Sequence, residues 1–308
     1  MNKRYLITGA NAGLGKETAR QLATLPETEK IYLACRNPVR AEAARKDLMQ
    51  ITGRDLFEVV IFDTTDVNSA KQVVSQLNEA IDAVVLNAGG MGGKTPEKST
   101  PSGMNVLAAT NILGHVALVD ELIAAQKLNN VVLLASSEAA RGIEKMNMHR
   151  PNLKTHSTEE LASVLNGAYF HPKFDAMQAY GHVKYVATLW MSSMARKHPN
   201  IRFVSVSPGA TSGTAAPNDL PAFSRFMFKY VMMGVIMPLR GMIHSLDKGA
   251  KRFVDGLTDA NAHESGKFYA SKADKLVGPV IDQGSLFADL NNVQYQDNAY
   301  EAVHRFLA

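Results

Sequence analysis

Short apolar runs that alternate with stretches of helix length constrain this chain more than any other feature. The runs occupy 3–8, 30–35, 57–62, 83–86, 131–135 and 201–206, and helices are predicted at 39–51, 69–80, 104–126 and 178–196. Apolar strands spaced by amphipathic helices predict a doubly wound α/β fold, with a mainly parallel sheet of about seven strands and helices on both faces. Glycine or polar clusters follow these runs: Gly9 onward, Asp63-Thr64-Thr65-Asp66, Asn87-Ala88-Gly89-Gly90, Ser136-Ser137 and Ser207-Pro208-Gly209. They fall at strand carboxyl ends, where open α/β sheets bind their ligands.

The first cluster reads Thr8-Gly9-Ala10-Asn11-Ala12-Gly13-Leu14-Gly15 and leads into a helix with Leu14, Thr18, Leu22 and Leu25 on one side. A glycine-rich turn between strand and helix lets the backbone approach a pyrophosphate seated on the helix N-terminus. The spacing Gly-x-x-x-Gly-x-Gly differs from the commoner dinucleotide fingerprint. The strand at 30–35 ends in Arg36, and neither Ala34 nor Cys35 offers a carboxylate for a ribose 2′-hydroxyl. An arginine there complements a 2′-phosphate, so NADP(H) is the expected cofactor. Lys16 and Arg40 are candidate helpers, or solvated helix residues.

Tyr180 and Lys184 are four apart on a predicted helix and share a face. A phenol titrates near 10 when unperturbed and exchanges protons poorly at neutrality. A neighbouring ammonium and an oxidised nicotinamide would stabilise phenolate and pull that value down. Tyr180 is therefore the expected general acid in reduction and base in oxidation, with Lys184 tuning it. Ser137 would hydrogen-bond the substrate oxygen as charge develops there. With the glycine turn, these residues fit hydride transfer between a nicotinamide and a carbonyl or alcohol.

Thr8-Gly9-x-x-x-Gly13-x-Gly15, Asn87-Ala88-Gly89, Asn111-x-x-Gly114, Ser137, Tyr180-x-x-x-Lys184 and Pro208-Gly209 occur in one order along nearly the whole chain. In this the chain resembles the short-chain dehydrogenases/reductases. Ala34-Cys35-Arg36-Asn37 and 109–115 resemble retinol dehydrogenases and light-dependent protochlorophyllide reductases, and the tail 265–270 resembles the latter. The resemblance implies one Rossmann-fold domain over 1–308 that binds NADP(H) through Gly9, Asn11, Gly13, Leu14, Gly15 and Arg36. It implies that Asp63 and Thr64 meet the adenine, although Asp63 also reads as a helix N-cap. Asn87, Ala88 and Gly89 would pass along the middle of the cofactor, and Pro208 and Gly209 would face the nicotinamide. Lys184 would hold the nicotinamide ribose beside Tyr180. Asn111 would hold a helix bend and the water of a proton relay.

Several departures refine the expectation. Ser137 and Tyr180 are much farther apart than is usual in the family, so about 138–176 is an insertion, with a predicted helix at 158–165. Carbonyl reductases and protochlorophyllide reductases carry a comparable insert over the helix face used for dimerisation, which favours a monomer and leaves a dimer open. His149, His156 and His171 have no regular ligand spacing and read as exposed loop residues, so no metal site is expected. Ala210 follows Pro208-Gly209 where the protochlorophyllide branch has cysteine, and Ser137 is retained where that branch tends to lose it. Ordinary carbonyl chemistry is favoured on that ground. Gly213 occupies the place of a cofactor-binding threonine, leaving Thr211, Ser212 and Thr214 as alternatives.

The segment 221–243 is the most apolar in the chain and rich in methionine and aromatics. Within a lid at about 212–245 it would suit a bulky apolar substrate, and it reads equally as core packing. Lys229 and Arg240 leave its uncharged run short of the ~20 residues that span a bilayer, though peripheral membrane contact stays open. The net charge of +4 without basic runs argues against nucleic acid. A single cysteine and the absence of a leader before the first strand predict a cytoplasmic protein. A catalytically silent NADP(H)-sensing protein and a double-bond reductase of the protochlorophyllide type are the alternatives.

Overall fold

The computed structural model describes residues 3–144, 148–212, 242–272 and 275–307. Among the described residues eight strands form one sheet: β1 (Lys3–Thr8), β2 (Thr28–Cys35), β3 (Phe57–Ile61), β4 (Ile81–Leu86), β5 (Leu128–Ala135), β6 (Arg202–Val206), β7 (Lys267–Ser271) and β8 (Val280–Asp282). Their order is β3-β2-β1-β4-β5-β6-β7-β8, parallel except for the antiparallel β7–β8 pair. The order reverses between β1 and β4, which makes that edge the switch point where such sheets open a crevice. The doubly wound fold is as expected. The strand beyond the expected seven is the three-residue β8, too short to carry a periodic signal.

Alternate residues along each strand feed opposite cores. Leu6, Val84, Leu86, Val132 and Leu134 join one buried cluster, while Tyr5, Ile7, Val85, Leu133 and Val204 join the other. The period of two sends neighbours to opposite faces, so strands apolar throughout need a helix layer on each side. The second cluster packs against α1 (Gly13–Leu22) and α2 (Pro38–Thr52). The first packs against α3 (Val67–Gln76), α5 (Gly114–Ala124) and α7 (Ala176–Lys197).

The helix expected at 104–126 is interrupted. A turn, α4 (Val106–Ala108), runs into a π-helical segment at Ala109–Leu113 before α5 begins. By length and composition Val106–Ala124 could cross a membrane, but most of it lies inside the protein, as a core helix does.

Helix α7 is enclosed almost all round, with every residue from Ala179 to Met194 buried except Tyr180. Its outer side was expected to lie under the insertion. The principal cover is instead α9 (Val293–His304), which follows α8 (Leu246–Thr258) in the chain, while α6 (Thr158–Asn166) of the insertion packs beside α7 and α9. Tyr185 donates to Asp289 at 2.7 Å and Ser193 to Asp297 at 2.6 Å, fastening the tail to α7. His156 of the insertion is half-buried rather than exposed, its ring stacked 4.0 Å from that of Tyr295 on α9. Residues 213–241, which include Gly213, Thr214 and most of the expected lid, lie outside the described residues.

Candidate active site

The first crossover builds a seat for an anion. At Gly9 the backbone turns with φ of 68°, a left-handed conformation that side chains disfavour. Helix α1 starts after Ala12 with no side chain capping its first amides. These donors sit at the positive end of the helix dipole and suit a pyrophosphate. A Cβ at Gly15 would lie 2.6 Å from Gly9 O, and one at Gly89 would lie 2.6 Å from Asn111 Oδ1. Bare backbone at these positions fits a dinucleotide laid across the strand ends. Asn11 and Leu14 are partly exposed on the same loop. Buried Cys35 receives the Ala10 and Asn11 amides, and burial pushes its thiol up to about 11, which keeps it unreactive.

Thr8 clamps this seat to the end of β4. Its hydroxyl accepts from the Asn87 and Ala88 amides, each at 2.9 Å, and lies 3.0 Å from His115 Nε2. His115 Nδ1 is 3.2 Å from the Asn111 carbonyl, which can only accept. The ring is thus protonated at Nδ1, leaving Nε2 as an acceptor beside the Thr8 hydroxyl, which also donates to Val85 O at 3.3 Å. Burial and the charge of Lys184 push His115 down to about 3, so it stays neutral. Sequence reasoning missed His115, whose spacing of one helical turn from Asn111 was the available signal.

Asn111 lies in the π-helical segment and is fully buried. Its Nδ2 donates to Leu107 O at 2.8 Å and Gly90 O at 2.7 Å, while its Oδ1 accepts from the Gly90 amide at 3.2 Å. The side chain therefore ties the irregular turn to the loop after β4.

Tyr180, Lys184 and Ser137 converge beside it. Lys184 Nζ stands 5.6 Å from the centre of the Tyr180 ring and donates to Ala135 O at 2.9 Å. Ser137 follows β5, caps the short helix Glu138–Arg141 through the Ala139 amide at 3.2 Å, and lies within hydrogen-bonding reach of the Tyr180 phenol. Burial pulls the Lys184 ammonium down to about 8. It pushes the Tyr180 phenol up to about 12, with Ser137 opposing the rise and the Glu138 carboxylate adding to it. The expected direction for Tyr180 was downward. Desolvation disfavours the charged form of both groups, and the lysine is engaged by a backbone carbonyl, so burial wins.

The remaining expected residues line the same edge of the sheet. Arg36 and Arg40 are exposed, and neither guanidinium has a hydrogen bond or ion pair among the described residues. Lys16, by contrast, pairs with Asp47 of α2. Asp63 accepts from the Thr65 amide at 2.9 Å and is not a helix cap, a place taken by Asp66 on α3. The Thr64 carbonyl accepts from the Gly114 amide at 2.8 Å. Beyond β6, the Pro208 carbonyl lies 2.7 Å from His244 Nε2, and Thr211 donates to Gly209 O at 3.0 Å. Ser212 donates to His244 O at 3.2 Å, so both hydroxyls fasten this loop.

The lysine has a consequence for stability. The folded protein releases its proton near 8, whereas the unfolded chain holds it to about 10.4. Between these values the unfolded state binds more protons, so stability rises with pH. Urea unfolding of nucleotide-stripped protein should show wild type gaining on Lys184→Met from about pH 8 to about pH 10. A difference that is constant across that window would mean the ammonium keeps its ordinary affinity.

Residues 3–149 match the short chain dehydrogenase family. Bovine dehydrogenase/reductase SDR family member 12 is 26% identical over 224 residues, which cover 72% of this chain and 64% of that protein, just under two thirds of its length. Human retinol dehydrogenase 11 is 28% identical over 255 residues, covering 79% of this chain and 71% of its own. Among solved structures, L-sorbose reductase from Gluconobacter frateurii, complexed with NADPH and L-sorbose, superposes with a TM-score of 0.64 at 18% identity. That superposition covers 90% of this chain and 97% of the reductase, and it bears on the fold alone. With the glycine seat, Asn111, Ser137 and the Tyr180–Lys184 pair at one sheet edge, these matches make the chain similar to the short-chain dehydrogenases/reductases along most of its length.

Proposed function

We propose that this protein is an NADP(H)-dependent oxidoreductase that interconverts a carbonyl and an alcohol. One observation carries the reading: the Ser137 hydroxyl, the Tyr180 phenol and the Lys184 ammonium converge beside the bare backbone at Gly89. A bound nicotinamide supplies the hydride. Ser137 and Tyr180 take the substrate oxygen between them and stabilise the charge that develops on it. With its phenol at about 12, Tyr180 is protonated at neutrality and delivers the proton in reduction. Lys184, held beside the ring, favours the phenolate left behind. In oxidation the same phenolate is the base.

The uncommitted guanidinium groups of Arg36 and Arg40 support NADP(H) over NAD(H), since a cation just after β2 and another in the first turn of α2 complement a 2′-phosphate. The apolar composition of 221–243 supports a bulky apolar substrate. The cover of α9 and α6 over α7 supports a monomer.

Turnover should be sought by NADPH consumption against retinoids, steroids, quinones and short aldehydes. Tyr180→Phe is expected to lower kcat by at least about 10²-fold while NADPH still binds. Absence of turnover by the wild type across that panel would favour the silent sensor instead. Arg36→Ala should weaken NADPH by roughly tenfold or more and leave NADH little changed, and equal use of both cofactors by the wild type would refute the assignment. Sedimentation should give a single 33.5 kDa species, and a dimer would count against the role given to α9.

A further inference from the structure

Behind the Ser137–Tyr180 pair lies an ionic network that the reaction described above does not use. Glu138, the residue after Ser137, is buried, and so is Arg252 of α8. They form an ion pair at 3.5 Å. One carboxylate oxygen of Glu138 accepts from the Ser207 hydroxyl, and the other from the Ser271 hydroxyl at 3.1 Å and the Ser271 amide at 3.4 Å. Arg252 donates to Ser207 O at 3.1 Å, to the Ser271 hydroxyl at 3.0 Å and to Gly278 O at 2.7 Å. The ends of β5, β6 and β7 therefore meet on one carboxylate and one guanidinium.

Ser207 is the pivot. Its hydroxyl donates to Glu138 and accepts from the Gly209 amide at 3.2 Å. Gly209 turns with φ of 75°, and a Cβ there would lie 2.8 Å from an Arg252 nitrogen. The turn thus rests directly on the ion pair. A buried ion pair is a weak source of stability, because desolvation offsets much of its attraction, and a well-packed apolar pair often does as well. What the network does supply is a short path between Ser137 and the Pro208-Gly209 turn. The Glu138 carboxylate also acts on the Tyr180 phenol, holding it up, and Arg252 and Arg141 both reach Ser271.

We propose that Glu138 and Arg252 are positioning residues that lock the Ser137 hydroxyl in register with the Pro208-Gly209 turn, and so align substrate oxygen with the face of the nicotinamide. This rests on the oxidoreductase reading given above. Alignment of this kind matters because displacement by about an ångström can cost 10²-fold in rate.

The test uses Ser207→Ala, which cuts the link from Glu138 to Gly209 and leaves the ion pair, and Glu138→Gln, which removes the charge at nearly constant volume. Ser207→Ala should lower kcat by about tenfold or more, with NADPH affinity and thermal midpoint close to wild type. Glu138→Gln should lower kcat and move the alkaline limb of reduction to lower pH, because the carboxylate that opposes phenolate is gone. The second effect is also readable without turnover. The tyrosinate absorbance of nucleotide-stripped protein, taken as the difference from the same background carrying Tyr180→Phe, should titrate at lower pH in Glu138→Gln. Folded variants with wild-type kcat and an unmoved tyrosinate titration would overturn the inference, as would a fall in thermal midpoint as the sole effect. If Glu138→Gln does not fold, Ser207→Ala decides through kcat alone. Turnover unaffected by Tyr180→Phe would reject the oxidoreductase mechanism, and the tyrosinate titration would still report on the network.

Discussion

A parallel sheet buried on both faces leaves a chain little choice about where its polar chemistry can stand. Side chains along the strands are consumed by two cores, as the division of Leu6 from Tyr5 and Ile7 illustrates. Catalytic and binding groups are pushed to the strand ends and the loops beyond them. Here the amino-terminal crossover contributes backbone donors, the loop after β4 contributes Asn87 to Gly89, and the turn after β5 contributes Ser137. A single helix crossing behind them brings Tyr180 and Lys184 to the same edge. Thr8 joins the first two loops through backbone amides, and Asn111 joins the second to the helix layer.

Desolvation dominates the electrostatics of this edge. His115 and Lys184 are driven down and Tyr180 up, all toward their neutral forms. A site of this kind holds its proton on the phenol and holds the lysine near its own titration point. The positive charge of an oxidised nicotinamide would then act beside a buried lysine and a half-buried phenol, where water screens less than in solution. The Glu138 carboxylate of the neighbouring loop opposes the phenolate, while the Lys184 ammonium stands one helical turn away beside the ring.

Much of this was legible in the residues. The strands at 3–8, 131–135 and 201–206 and the helix carrying Tyr180 follow from local periodicity, and structure and expectation agree within a few residues. The break in the helix at Asn111 is not visible as a periodicity, because Leu107, Ile112, Leu113 and Val116 remain apolar through it. The strand β8 is too short to register, and α9 starts at Val293 because Asn292 caps it through the Tyr295 amide. Asp63 and Asp66 are equally good cap residues on paper, and only the backbone path distinguishes them.

The amino-acid sequence by itself determined what depends on neighbours along the chain: the strand–helix alternation, the glycine-rich turn at Gly9 to Gly15, and the single helical turn between Tyr180 and Lys184. Short-range geometry sets these, with periods of 2 and 3.6 residues. Tertiary structure alone decided the sign of the Tyr180 shift, the clamp of Thr8 by His115, the covering of α7 by α9, and the pairing of Glu138 with Arg252. Each depends on burial or on a partner from a distant part of the chain. Neither the loss of water around a group nor the approach of remote segments is encoded in local spacing.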